Sequence, residues 1–117
     1  MDATLNGLRG ASLELFTAAR EAGQYEVAYH ALCALLHAAE AMEDEATCRL
    51  VEQRATECRD WLDRHAPAHK HSTQSAHSRG HEGIFRQLTV TAEAARLRIE
   101  LQKRQGRPKA PLAAAKR

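Results

Sequence analysis

The chain has 117 residues, of which 27% are charged and 4% are aromatic, and its formal net charge is +2. This length predicts one small domain whose core needs neither a metal nor a disulfide for stability. No segment approaches the roughly 18 consecutive apolar residues of a membrane span, and the charged, periodic first 22 residues do not read as a secretory leader. Three cysteines cannot form an even disulfide framework, so we expect a cytoplasmic protein that is not bound to a membrane.

Two amphipathic helices joined by a glycine turn are predicted for the first 42 residues. The first covers about residues 3–22, but Gly7 and Gly10 weaken its start, so the firm helix is expected only near Ser12. The second covers about residues 24–42 and is apolar over most of its circumference, which is typical of a central helix with two neighbours. Steps of three and four place the predicted core residues of the first helix on one face: Leu5, Leu8, Ser12, Leu15, Ala19 and Ala22.

Small, aromatic and leucine residues surround this turn at characteristic spacings: Leu15, Gly23, Tyr25, Ala28, Leu32 and Leu35. In this spacing, residues 9–42 resemble a single tetratricopeptide repeat, although Ser12, Phe16 and Glu40 depart from the family pattern. The resemblance implies a helical hairpin closed by a glycine turn, and a protein that binds peptides or partner proteins along a concave groove. Because one repeat cannot bury its own face, it also implies neighbouring helices or a second subunit.

A third helix and a polar linker are predicted next. The acidic run at residues 43–45 suits a helix N-terminus, and the helix extends over about residues 44–65, before Pro67. Residues 66–83 are rich in histidine and serine and have no apolar period, so we expect a linker without regular structure. The predicted buried stripe of the third helix is Cys48, Val51, Ala55, Cys58 and Leu62.

A fourth helix, loosely tethered by this linker, is predicted within residues 84–105, and a basic disordered tail for residues 106–117. The fold class is therefore all-α: an antiparallel three-helix bundle over residues 1–65 with a tethered fourth helix. That helix has two apolar faces, which a lone three-helix domain cannot both bury. Its faces are Phe85, Leu88, Ala92, Ala95 and Ile99 on one side, and Val90, Ala94, Leu97 and Leu101 nearly opposite.

The excess of apolar surface favours a protein-interaction or scaffold module that self-associates, with a homodimer as the expected state. The sequence contains no glycine-rich phosphate loop, no Gly-x-Ser-x-Gly elbow and no His-Glu-x-x-His pair, so we expect neither an enzyme nor a cofactor. The predicted partner-binding anchors lie on the fourth helix and near the hairpin turn: Phe85, Leu88, Leu97, Leu101, Tyr25 and Tyr29.

A metal-binding protein is one alternative. His30, Cys33 and His37 follow one another at steps of three and four on the second helix, and all three are possible zinc or copper ligands. Residues seven apart lie about 10 Å apart along a helix axis, so one ion can take Cys33 with only one of the histidines. A solvated polar face is the competing interpretation. The linker histidines could also capture divalent metals weakly.

A nucleic-acid-binding accessory protein is the other alternative. Residues 1–64 carry twelve acidic and six basic residues, whereas residues 82–117 carry three acidic and nine basic residues. A basic segment can neutralise the phosphates of nucleic acid, but no aromatic residues interleave here to stack on bases. A solubilising tail is the competing interpretation. The candidate residues are Lys103, Arg104, Arg107 and Lys109.

Overall fold

The computed structural model describes residues 3–106, and within them the chain forms helices and turns with no strand. The predicted all-α fold class is confirmed. Four long helices and one short helix follow each other in the order α1 (Ala3–Glu21), α2 (Tyr25–Ala41), α3 (Glu45–His65), α4 (Thr73–Ser78) and α5 (Ile84–Arg104). Arg107 and Lys109, with the rest of the predicted tail beyond residue 106, lie outside the described residues.

The predicted antiparallel hairpin is formed by α1 and α2. Gly23 adopts φ +74°, the left-handed conformation that glycine accommodates without a steric penalty. Contrary to expectation, α1 begins at Ala3 rather than near Ser12. Its early turns are held by tertiary contact, since the Arg9 guanidinium donates to the carboxylate of Asp44 at the start of α3. Such contacts override the weak helix propensity of two glycines.

α1 buries only part of the face that its leucine spacing predicts. Phe16 is fully buried and Ala19 nearly so, whereas Leu8 and Leu15 are 53% and 52% exposed. Phe16 is the largest apolar side chain of the helix, so turning it inward removes more surface from water than Leu15 would. In residues 3–106 the backbone of α1 lies close only to that of α2, and α3 reaches α1 through the Arg20–Glu57 ion pair. A narrow buried face of α1 is therefore enough.

α2 is the central helix, as predicted, and contacts α1, α3 and α5. The predicted stripe of α3 is also buried throughout, from Cys48 to Leu62. Asp44 caps this helix by accepting the backbone N–H of Thr47 at 3.1 Å. The buried residues of α2 occupy almost every turn: Tyr25, Ala28, Ala31, Leu32, Leu35, Leu36, Ala38 and Ala39.

The segment predicted to be an irregular linker contains α4. Ser72 is fully buried; its hydroxyl donates to the carbonyl of Pro67 at 2.6 Å and accepts the backbone N–H of Ser75 at 3.1 Å. The backbone N–H of Thr73 donates to Asp63 on α3 at 2.7 Å. A serine cap and this carboxylate therefore order six residues that have no apolar period.

α5 is an integral part of the bundle rather than a loosely tethered helix. It packs antiparallel along α3, where Arg96 donates to Glu52 and the Thr89 and Thr56 hydroxyls lie 3.5 Å apart. It also contacts α2. The residues that dock it are those of one predicted apolar face: Phe85, Leu88, Ala92, Ala95 and Ile99. The three-helix bundle of the sequence analysis is thus completed by a fourth long helix.

Candidate protein-interaction surface

The outward side of α5 carries a stripe of large apolar side chains that the rest of residues 3–106 leaves about half exposed. Val90 is 47% exposed, and Leu97 and Leu101 are both 49% exposed. At about 100° per residue, these three and the exposed Ala94 fall within an arc of roughly 60°. We call Val90, Ala94, Leu97 and Leu101 the outer stripe of α5. It is the second apolar face that the sequence predicted.

Two charged residues flank the outer stripe on opposite sides. Glu93 is exposed and makes no ion pair with any described residue. Arg98 is half-exposed and donates from Nη2 to Glu40 Oε2 at 2.8 Å, which ties this flank of α5 to α2. Neither residue is among the binding residues predicted from the sequence. Only their positions in the sequence could have indicated that they flank the outer stripe, since each is adjacent to one of its apolar members.

Several predicted anchors are unavailable to a partner because they form the core. Tyr25, Phe85 and Leu88 are buried, so their assignment as partner-binding residues is wrong. Tyr29 is partly buried and packs edge-on against Phe85 with ring centroids 6.0 Å apart. The face of α5 that carries Phe85 and Leu88 points inward, where α5 packs against both α2 and α3.

The exposed ring of Trp61 on α3 already packs against other residues of the chain. Trp61 is 46% exposed, but it stacks on Tyr25 with centroids 5.5 Å apart and on His65 with centroids 4.8 Å apart. A cleft of about 350 Å³ beside it is lined by α1, α2 and α3 residues, including Arg20, which pairs with Glu57. The ring contacts of Trp61 and the Arg20–Glu57 ion pair connect the helices here, so this region is not a free docking site.

The linker histidines also have contacts within the chain. His71 Nε2 lies 3.2 Å from Glu26 Oε1, and Lys70 Nζ lies 2.9 Å from the same oxygen. These hydrogen bonds from Lys70 and His71 lower the pKa of Glu26 to about 2. His69 packs edge-on against Tyr25, and its pKa is lowered by burial and by the nearby positive charges of His71 and Lys70. The linker is thereby joined to the N-terminal turn of α2.

The arrangement gives no support to the predicted metal site. His30 and His37 are exposed on α2, and Cys33 between them is half-buried. His30 packs against the ring of Tyr29, and His37 Nδ1 lies 3.8 Å from Glu40. Burial raises the pKa of the Cys33 thiol, which disfavours the thiolate that a metal requires. In residues 3–106, no group of three His, Cys, Asp or Glu side chains is placed to hold a metal ion.

The basic residues at the end of α5 do not form an open patch. Lys103 Nζ lies 3.1 Å from Glu45 of α3, and Arg96 is held between Glu52 and Glu100. Arg104 is exposed. Most cations of α5 are therefore matched by carboxylates of α2 and α3, which weakens the case for a phosphate-binding face within the described part of the chain.

Comparison of the chain with models of protein families, with curated proteins and with solved structures finds no match. The resemblance of residues 9–42 to a tetratricopeptide repeat therefore stays a prediction. Among residues 3–106, none of the helices combines the length and the apolar character needed to cross a membrane.

Proposed function

We propose that this chain is a non-enzymatic protein-interaction module that self-associates through the outer stripe of α5. The observation that carries the proposal is the exposure of Val90, Leu97 and Leu101 on one side of a helix whose other side is fully buried. The buried side accounts for how α5 is held in the fold. The large side chains of the outer stripe are left about half exposed, and a partner that covers them accounts for their apolar character.

The physical basis is the removal of apolar surface from water, which yields about 25 cal/mol for each Å² buried. Ala94 lies between the larger side chains of the stripe, and its small size lets a partner helix approach closely. Glu93 and Arg98 keep the margins of the stripe polar. An apolar centre with a charged rim is the usual anatomy of an association surface.

The test is the solution mass of the intact chain and of Leu97→Asp and Leu101→Asp variants, measured by sedimentation equilibrium over a range of concentrations. We expect the natural chain to exceed the monomer mass and both variants to sediment as monomers, because a buried unpaired carboxylate is strongly unfavourable. Both positions are exposed in the monomer, so the variants should retain their helical circular dichroism.

Leu15→Asp is the matched control, since Leu15 is as exposed as Leu97 but lies on α1. It should leave the association unchanged. A natural chain that is monomeric at every concentration would refute the proposal. So would an association that Leu15→Asp abolishes and Leu97→Asp does not, because it would place the interface on α1.

A further inference from the structure

We infer that the partner of the outer stripe is α5 of a second copy of this chain, paired parallel and in register. This inference rests on the function proposed above and adds the orientation of the two helices. It starts from the spacing of the stripe. Val90, Ala94, Leu97 and Leu101 alternate steps of four and three, which is the spacing of the two core positions of a coiled-coil heptad.

In this heptad, Ala94 and Leu101 occupy position a, and Val90 and Leu97 occupy position d. Arg104, the next d position, is exposed and marks where the apolar seam ends. The seam therefore covers about two heptads, from Val90 to Leu101. A small residue at one a position brings the two helix backbones close together near the middle of the seam.

The flanking charges decide the orientation. Glu93 falls at position g and Arg98, five residues later, at position e of the same seam. In a parallel in-register pair, a g residue of one helix faces the e residue five positions later on the other helix. Glu93 would then meet Arg98 of the second copy, and two-fold symmetry would repeat this pair on the opposite side.

An antiparallel pair would bring like charges together instead, because g positions then face g positions. Glu93 and Glu100 lie on this same flank, so aligning Val90 with Leu101 of the second copy places Glu93 near that copy's Glu100. The monomer leaves Glu93 without a charged partner in residues 3–106, whereas Glu100 already accepts Arg96 at 3.1 Å. A parallel pair therefore supplies the missing cation, and an antiparallel pair adds a second anion.

The experiment reverses these charges singly and together and measures the dissociation constant of the dimer by sedimentation at low ionic strength. Glu93→Arg and Arg98→Glu should each weaken the dimer about tenfold, because two symmetric attractive pairs become repulsive. The double variant exchanges the two charges and should bind within about threefold of the natural chain. Raising the salt concentration should reduce all of these differences.

Glu40→Gln is the control, because it removes the ion pair of Arg98 with α2 without changing either flank of the seam. It should alter the dissociation constant less than Arg98→Glu does. Circular dichroism checks that each variant is folded. The inference is supported if dimer affinity falls in both single variants and is restored in the double variant.

Other outcomes overturn the inference and separate it from the proposed function. If Glu93→Arg tightens the dimer, the pairing is antiparallel; if charge reversal has no effect or the double variant does not recover, the helices meet in another register. In each of these cases Leu97→Asp can still dissociate the dimer, and the proposed function stands. If the natural chain is a monomer at every concentration, both are refuted.

Discussion

Phe16 is the only large apolar side chain that α1 buries completely, and it marks where the first helix is attached to the bundle. Leu15, its neighbour, is half-exposed. We therefore expect Phe16→Ala to lower the free energy of unfolding by about 3–5 kcal/mol, through lost burial and the cavity left behind. Leu15→Ala should cost less than about 1 kcal/mol. Urea unfolding of the two variants measures the difference, and equal losses would contradict the burial of Phe16.

This orientation could not be predicted from periodicity alone. A rotation that buries Leu15 and one that buries Phe16 are both consistent with a helix, and these two side chains point about 100° apart. The choice between them depends on how much surface the neighbouring helix can cover, which is a property of α2 rather than of the α1 sequence. Residue spacing therefore predicted the helix, and tertiary packing decided its rotation.

His69 is a residue whose protonation should affect stability. Its Nδ1 accepts the backbone N–H of His71 at 3.0 Å, and this contact requires an unprotonated Nδ1. Its pKa is lowered in the folded chain, so the unfolded chain binds the proton more readily below the ordinary histidine value of 6.5. We expect this contribution to be fully present above pH 6.5 and to be lost as the pH falls through the folded pKa.

The measurement is urea unfolding at pH 7.5 and pH 5.5 for the natural chain and for His69→Asn. The asparagine can offer an acceptor oxygen near the position of Nδ1 but does not titrate. The loss of stability on acidification should therefore be smaller in the variant. His81→Asn, at an exposed histidine of the same segment, is the control. An unchanged pH dependence in His69→Asn would contradict the assignment.

The entry into α5 depends on a glycine. Gly83 has φ +95° and ψ 144°, a conformation essentially restricted to glycine, and an added Cβ would lie 3.5 Å from the Cβ of Ala76. We expect Gly83→Ala to cost about 1–3 kcal/mol of stability. Gly7→Ala makes the same chemical change inside α1, where a Cβ meets no atom within 4 Å, and should stabilise by about 0.5–1 kcal/mol. Thermal unfolding compares the stability of the two variants. Equal destabilisation by both substitutions would contradict the positive φ of Gly83.

The elements were predictable to the extent that each has its own apolar period. The stripe of α3 and the two apolar faces of α5 follow from spacing, because steps of three and four place these residues on common faces of a helix. α4 has six residues, less than two full turns, and no apolar period, so only Ser72 as a potential cap signalled it. The burial of Phe85 was missed because spacing identifies two faces of α5 without saying which one α3 covers.

α5 joins parts of the fold that lie far apart in sequence. It lies along α3 and also reaches α2, with polar pairs such as Arg96–Glu52 and Arg98–Glu40 along its length. Removing α5 would expose buried surface on both α2 and α3. The helices should consequently depend on each other for stability, so that the chain unfolds as one unit.

A cooperative fold predicts that two different probes report the same unfolding transition. Trp61, the single tryptophan, reports the packing of α3 on α2 through its stack with Tyr25, whereas circular dichroism reports all helices, of which α5 supplies about a quarter of the residues. We expect fluorescence and circular dichroism to give coincident urea midpoints, since α5 cannot leave without uncovering α3. A tethered helix would instead lose about a quarter of the helical signal before the fluorescence changes. That early loss would contradict the docking of α5, and the comparison is best made with Leu97→Asp, where self-association does not add to the stability of α5.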